Sequence, residues 1–270
     1  MTAPDPLNAA ATVPDLDAVL RSWREWSDGV RSDPHERALR YGPSPDETLD
    51  LFVPQPGAPL VVFFHGGYWR RLHKDDLTFV ARGLTPHGLA VAIVNYSLSP
   101  AVTLETIVAQ AQRSVAWLRR NAGAFGADPT RVVVAGHSAG GHLAAMCAVD
   151  APVAAVVTLS GLHDLRAVAR SFANEWLMLD DARAAALSPT LLAPAAPCIV
   201  DATAGERESA AFHAQGRDFV DAWRTHGCEA VYAESPGDDH FSLCGRLGDP
   251  DDALAVRIAA LAGGQNVLGV

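Results

Sequence analysis

Six stretches of almost unbroken apolar residues constrain this chain more than any other feature: PLVVFFHG (59–66), LAVAIVNY (89–96), RVVVAG (131–136), VAAVVTLSG (153–161), APCIVDATAG (196–205) and EAVYAES (229–235). A strand with one solvated face alternates apolar and polar residues, whereas runs this continuous suit strands buried on both faces. Between the second and third runs, Leu104, Val108, Ala111, Val115 and Leu118 fall at steps of four and three, one stripe of a helix. Further helices are expected over about 75–85, 139–149, 209–226 and 250–262. Alternation of buried strand and helix predicts an α/β fold, a mostly parallel twisted sheet with helices on both faces.

Two segments depart from that alternation. Residues 1–45, with Trp23 and Trp26, are expected to pack an N-terminal helix and loop before a first strand near 48–54. Residues 162–189 are too long for a plain crossover and rich in helix formers, so they are expected to form a small helical cap that shapes a pocket. The whole of 1–270 is expected to be a single domain, since 270 residues, 49% hydrophobic and 19% charged, suffice for one large core.

Charge excludes some partners. Lys and Arg total 21 against 31 Asp and Glu, a net charge of −10 with no basic run, so no nucleic acid is expected. Cys147, Cys198, Cys228 and Cys244 show neither paired spacing nor interleaved histidines, so they read as buried apolar residues, not metal ligands. The first residues lack the cationic start and apolar core of a secretory signal, and no apolar run reaches membrane-spanning length. A cytoplasmic protein with no membrane contact is expected.

The chemistry is carried by VVVAGHSAGGHLAA (132–145). Gly136-His137-Ser138-Ala139-Gly140 is G-x-S-x-G where a strand gives way to a helix. A sharp turn there leaves no room for side chains at the flanking positions and thrusts the serine up at the sheet's carboxyl edge. The helix that follows points its N-terminal amides, Ala139 N–H foremost, at any oxyanion formed on that serine. FFHGGYW (63–69) places a second glycine pair at the end of an early strand, where Gly67 and Tyr68 N–H groups are expected as further oxyanion donors and His65 as a structural residue. Packing alone can explain one glycine turn, but two at neighbouring strand ends argue for a site.

A serine nucleophile needs a base, and the base needs an acid to hold its tautomer. His240, in PGDDHFSL after the last expected strand, is the candidate base; a metal site with Asp238 and Asp239 is disfavoured because adjacent loop residues rarely converge on one ion. Glu208, in the turn GERES, is the first candidate acid, Asp164 the second and Glu206 the third, with Asp201 assigned a structural role within its strand.

These segments, with RALRYGPSPDETLDLFVP, HGGYWR, NYSLSP, GHSAGGHLAA, GERESAAFHAQGRDFVDAW and DDHFSL, resemble the kynurenine formamidase (arylformamidase) branch of the α/β-hydrolases from about residue 37 onward. HGGYW is the most discriminating of them. The resemblance implies an α/β-hydrolase fold and a cofactor-free Ser138–Glu208–His240 hydrolase acting on N-formylkynurenine or small aryl esters. Glu208 stands where many relatives carry aspartate. A small-molecule aromatic amide or ester is thus the expected partner, with a homodimer the one assembly entertained and no metal expected.

A formyl group needs only a small acyl pocket, whereas an aniline leaving group wants a flat apolar wall. Tyr68 and Trp69 are candidates for that wall and His137 for the pocket lining. Arg70 and Arg71 are candidates to meet a substrate carboxylate, and His142 is expected to pack internally. The alternatives are a broad small-acyl carboxylesterase and a non-catalytic hydrolase-like binding protein.

Overall fold

The computed structural model describes residues 5–33 and 35–265; Pro34 and the two ends of the expected domain, 1–4 and 266–270, lie outside the described residues. The chain opens with α1 (Leu16–Val30), β1 (Glu36–Arg40), β2 (Thr48–Phe52), β3 (Ala58–Phe64), α2 (Phe79–Leu84), β4 (Ala90–Val94) and α3 (Leu104–Asn121). It continues with β5 (Ala127–His137), α4 (Ala139–Asp150), β6 (Ala155–Leu159) and the short helices α5 (Leu165–Val168), α6 (Asn174–Leu177) and α7 (Asp181–Ala186). β7 (Ile199–Gly205), α8 (Ala210–Arg224), β8 (Glu229–Ser235), α9 (His240–Gly245) and α10 (Ala253–Ala262) complete it.

The eight strands form one sheet in the order β1-β2-β4-β3-β5-β6-β7-β8; β2 runs antiparallel to β1 and β4, and the rest are parallel. The pairing explains the continuous apolar runs. Leu60, Val62 and Phe64 of β3 face a core shared with α3, α4 and α8, while Val61 and Phe63 face a second core shared with α1, α2 and α10. Val132 and Val134 of β5 divide from Val133 and Ala135 in the same way. Successive residues point to opposite faces and both are covered, so neither set can be polar.

The order also fixes where a site belongs. From β3 the chain crosses to β4 on one side, and from β5 it crosses to β6 on the other, so the crossovers diverge between the adjacent strands β3 and β5. A crevice opens at the carboxyl ends of strands where connections part in this way.

Several boundaries differ from the expected ones. The edge strand β1 was not foreseen, because its mostly exposed ERALR carries neither a continuous nor an alternating pattern. The helix expected over 75–85 is a 3-10 turn at Lys74–Asp76 followed by α2, and α9 precedes α10. Residues 162–189 fold as α5, α6 and α7. All four cysteines are free, buried thiols. Among the described residues no helix is long and apolar enough to cross a membrane.

Close backbone approach holds the crevice together. A Cβ at Gly140 would overlap the Phe64 carbonyl oxygen of β3, and one at Gly136 would overlap the Gly140 carbonyl oxygen. Gly140→Ala is therefore expected to cost about 3 kcal/mol, the upper range for forced overpacking, and to lower the midpoint of thermal unfolding by several degrees. Gly123→Ala, where an added Cβ meets nothing within 4 Å, is the control and should leave the midpoint nearly unchanged. Equal midpoints for the two variants would show that the β3–α4 contact is not under this constraint.

Candidate functional site

Ser138 sits between β5 and α4 with φ 56 and ψ −119, a conformation that strains any residue but glycine. The turn survives because its surroundings over-determine it: Ser138 N–H donates to Leu159 O at 2.8 Å, Gly141 N–H donates back to Ser138 O at 2.9 Å, and the flanking glycines let backbone touch backbone. Ser138 is 1% exposed, and its Oγ has no hydrogen-bond partner among the described residues.

The loop after β3 folds down onto this turn. A Cβ at Gly66 would lie 2.9 Å from His137 O and 3.2 Å from Ser138 Cβ, so only glycine allows the approach. Gly67, Tyr68 and Trp69 all have positive φ, at 96, 52 and 54. Their conformation is fixed by Arg70 and Arg71 N–H groups donating to Gly67 O, Trp176 Nε1–H donating to Tyr68 O and Ser99 N–H donating to Trp69 O. The N–H groups of Gly67, Tyr68 and Ala139 donate to no described residue, which leaves all three available to an acceptor. His65 is structural, stacked on Tyr96 at 4.2 Å, and its burial lowers its pKa to about 4.

The structure brings Glu208 and His240 together. His240 Nδ1 bonds Glu208 Oε2 at 2.8 Å, and the other carboxylate oxygen accepts Ser160 Oγ–H at 2.5 Å and Gly205 N–H at 2.7 Å. Burial pushes the Glu208 pKa up, but the His240 charge and these hydrogen bonds outweigh it, so the carboxyl is held below its ordinary value. His240, 2% exposed, lies not in an open loop but at the first position of α9, whose start is fixed by Asp239 accepting Phe241 and Ser242 N–H groups. His137 anchors it further: the Nε2–H of His137 donates to His240 O at 2.8 Å, with ring centroids 4.6 Å apart. Desolvation, then the nearby His240 charge, lowers the His137 pKa to about 3, so His137 stays neutral.

The other candidate acids point elsewhere. Asp164 caps α5 and grips Arg166, Glu206 Oε2 accepts Gly237 N–H, and Asp201 is paired with Arg257. Asp238 is held by Ser235 and Arg246. No group of three or more His, Cys, Asp or Glu side chains poised for a metal ion occurs among the described residues.

A cavity of about 280 Å³ reaches Gly67, Tyr68 and His137. Its aromatic walls correct one expectation. Trp69 is fully buried in the core, edge-on to His142 at 5.1 Å, because the positive φ at Tyr68 and Trp69 turns the indole beneath the loop. The walls are instead Trp23 of α1, Phe172 and Trp176 of the segment between β6 and β7, and Phe241 of α9, with Tyr68 beside them. Nothing in the sequence marked these four as cavity walls, Trp23 being noted only for the N-terminal helix, since only the fold makes them neighbours. The segment 5–12 was also unmarked. Its Pro6 and Leu7 carbonyl oxygens accept Ser209 Oγ–H and Tyr68 Oη–H, Asp5 accepts Phe172 N–H, and Pro6 and Ala9 roof a small void beside Glu208 and His240. Ser160 was missed as well, although Ser-Gly after a buried run is a turn signal.

The BD-FAE family matches residues 49–159. Kynurenine formamidase from Danio rerio is 29% identical over 239 residues, covering 83% of this chain and 80% of that protein, and the Drosophila melanogaster enzyme is 29% identical over 228 residues, covering 76% and 74%. Among solved structures, a Silicibacter sp. TM1040 protein with a provisional thioesterase assignment superposes with a TM-score of 0.81 at 31% identity, covering 95% of this chain and 98% of its own. Esterase B of Lactobacillus rhamnosis superposes at 0.70 with 19% identity, covering 95% and 97%. The chain has the α/β-hydrolase fold and is similar in sequence to the kynurenine formamidases and in structure to esterases of that fold.

Proposed function

We propose that the chain is a cofactor-free serine hydrolase that removes small acyl groups from aromatic amides or esters, with arylformamidase action on N-formylkynurenine as its leading activity. The observation that carries this reading is the buried Glu208–His240 bond, built beside a strained, unpartnered serine and three free N–H groups. Glu208 accepts the Nδ1–H of His240, which fixes the tautomer and leaves Nε2 to act as base. His240 takes the Ser138 proton as Oγ attacks the acyl carbon, and the N–H groups of Gly67, Tyr68 and Ala139 receive the oxyanion. The carbon–nitrogen or carbon–oxygen bond then breaks as His240 protonates the leaving amine or phenol. Water, deprotonated by His240, attacks the acyl-serine and releases the acid, formate for a formyl donor. Aromatic walls and a modest cavity suit a flat leaving group with a small acyl portion. The setting proposed is cytoplasmic, in tryptophan breakdown.

A broad small-acyl carboxylesterase is the second reading, favoured by the thioesterase assignment of the 31%-identical structure. Rates on N-formylkynurenine and p-nitrophenyl acetate separate the two, and negligible deformylation beside rapid ester cleavage would favour the second. A non-catalytic binding protein would turn over neither.

Ser138→Ala is expected to abolish burst release of p-nitrophenol, with kcat down by roughly 10⁴-fold or more; unimpaired turnover by a folded variant would exclude the assignment. Glu208→Gln should lower kcat by about 10²- to 10⁴-fold with little change in KM, because the base loses its orienting charge. The same substitution reports on stability. A carboxyl held below its ordinary value of 4.5 stabilises the fold above that pH and loses the contribution as pH falls through the lowered value. Wild type should therefore melt above Glu208→Gln near neutrality, and the gap should close as the buffer is taken well below pH 4.5. A gap independent of pH would mean that Glu208 is not held ionised.

A further inference from the structure

We propose that Cys198 and Cys228 are a modification site, two thiols placed to be joined as a disulfide by a low-molecular-weight disulfide such as oxidised glutathione, and that the bond fastens together the strands leading to Glu208 and His240. The two sulfurs lie 4.0 Å apart although the residues are 30 positions apart in the chain. Each stands one residue ahead of its strand, Cys198 before β7 and Cys228 before β8, and the first register pair of those parallel strands is Ile199 with Glu229. Neighbouring strands run ~4.8 Å apart, inside the ~4.4–6.8 Å between Cα atoms that a disulfide spans. Closing the bond therefore calls for side-chain rotation and no change of register. Cys198 N–H donates to Cys228 Sγ at 3.5 Å, which holds that sulfur toward its partner.

The other two cysteines lack this setting. Cys147 of α4 and Cys244 of α9 are 1% and 0% exposed and lie singly in opposite cores, whereas Cys198 and Cys228, at 8% and 6%, keep an edge toward solvent. Joining the pair is thiol–disulfide exchange. One cysteine thiolate attacks a sulfur of the reagent and expels one small thiolate; the second cysteine thiolate attacks the mixed disulfide at the protein sulfur and expels the other. One S–S bond forms in the protein as one breaks in the reagent, two electrons pass to the reagent, and the two cysteine protons end on the two small thiols. Burial, then the neighbouring Cys228, hold the Cys198 thiol above its ordinary value, so that thiol ionises sparingly and the exchange is slow. A reducing compartment keeps the pair open, and an oxidising shift closes it. The closed loop holds Glu208 and α8, and its bond sits at the amino ends of β7 and β8, seven-residue strands whose carboxyl ends lead to the site. The fold is thereby stabilised from the end opposite the site, through restriction of the unfolded chain.

The test incubates the folded protein with oxidised glutathione well below its unfolding transition, then reads intact mass, peptide map and thermal midpoint. Wild type is expected to lose two hydrogens, to yield a linked peptide pair joining Cys198 to Cys228, and to leave Cys147 and Cys244 as thiols that alkylate only after denaturation. The linked protein should melt roughly 5–10 °C above the reduced one, a gain that dithiothreitol reverses. Cys198→Ala and Cys228→Ala should each abolish both the linked pair and the gain; the wild-type peptide map decides the linkage even where a variant folds poorly. No linked pair, glutathione retained as a stable mixed disulfide, or linkage through Cys147 or Cys244 would overturn the proposal, as would a Cys198–Cys228-linked protein that melts no higher than the reduced one. These readouts are independent of turnover, and so of the hydrolase reading.

Discussion

The molecule depends on backbone touching backbone at the carboxyl ends of β3 and β5. Gly66 lies against the His137 carbonyl, Gly140 against Phe64, and Gly136 against Gly140, each at a distance that excludes a Cβ. This contact draws the Gly67–Tyr68 amides toward the serine and supports a backbone conformation that would otherwise relax at a gain of about 1–3 kcal/mol. Everything polar in the site is arranged around that closure. The helix start that presents Ala139 N–H and the loop that presents Gly67 and Tyr68 N–H groups are two sides of one packing event.

The electrostatics follow from burial. Two titratable groups of the site, His137 and Glu208, show how burial and partners together set charge here. Desolvation holds His137 neutral, so its ring serves as a spacer and a donor to His240 O, not as a competing base. Glu208 stays ionised only because three donors, from His240, Ser160 and Gly205, surround it. A carboxylate that has lost its water must recover equivalent bonds from the protein, and here it does.

How much of this was legible in the sequence depended on how local each cause is. The sheet was readable because burial of both strand faces leaves a one-dimensional trace, as Val61 and Phe63 against Leu60, Val62 and Phe64 illustrate. The turn at Ser138 was readable because its sterics are settled within five residues. β1 left no such trace, being a largely exposed edge strand. The choice among Glu208, Asp164 and Glu206 turned on where each carboxylate points, which partners such as Arg166 and the Gly237 N–H decide from outside the local sequence. Trp69 misled because proximity in sequence to HGG suggested proximity to the cavity, while consecutive positive φ values carry its indole into the core and leave Trp176, more than a hundred residues on, to form the wall.

The strand order separates two kinds of responsibility. Ser138, Glu208 and His240 follow β5, β7 and β8, and the glycine loop follows β3, so the groups proposed to react are all carried by the ends of the sheet strands. The walls and roof come largely from material outside it, α1, the segment 5–12 and the short helices between β6 and β7. Insertions or recombination in those outlying pieces can therefore redraw the shape of the chamber and leave the Ser138 turn and the Glu208–His240 pair in register, which makes the chamber the separable, modular part of this architecture.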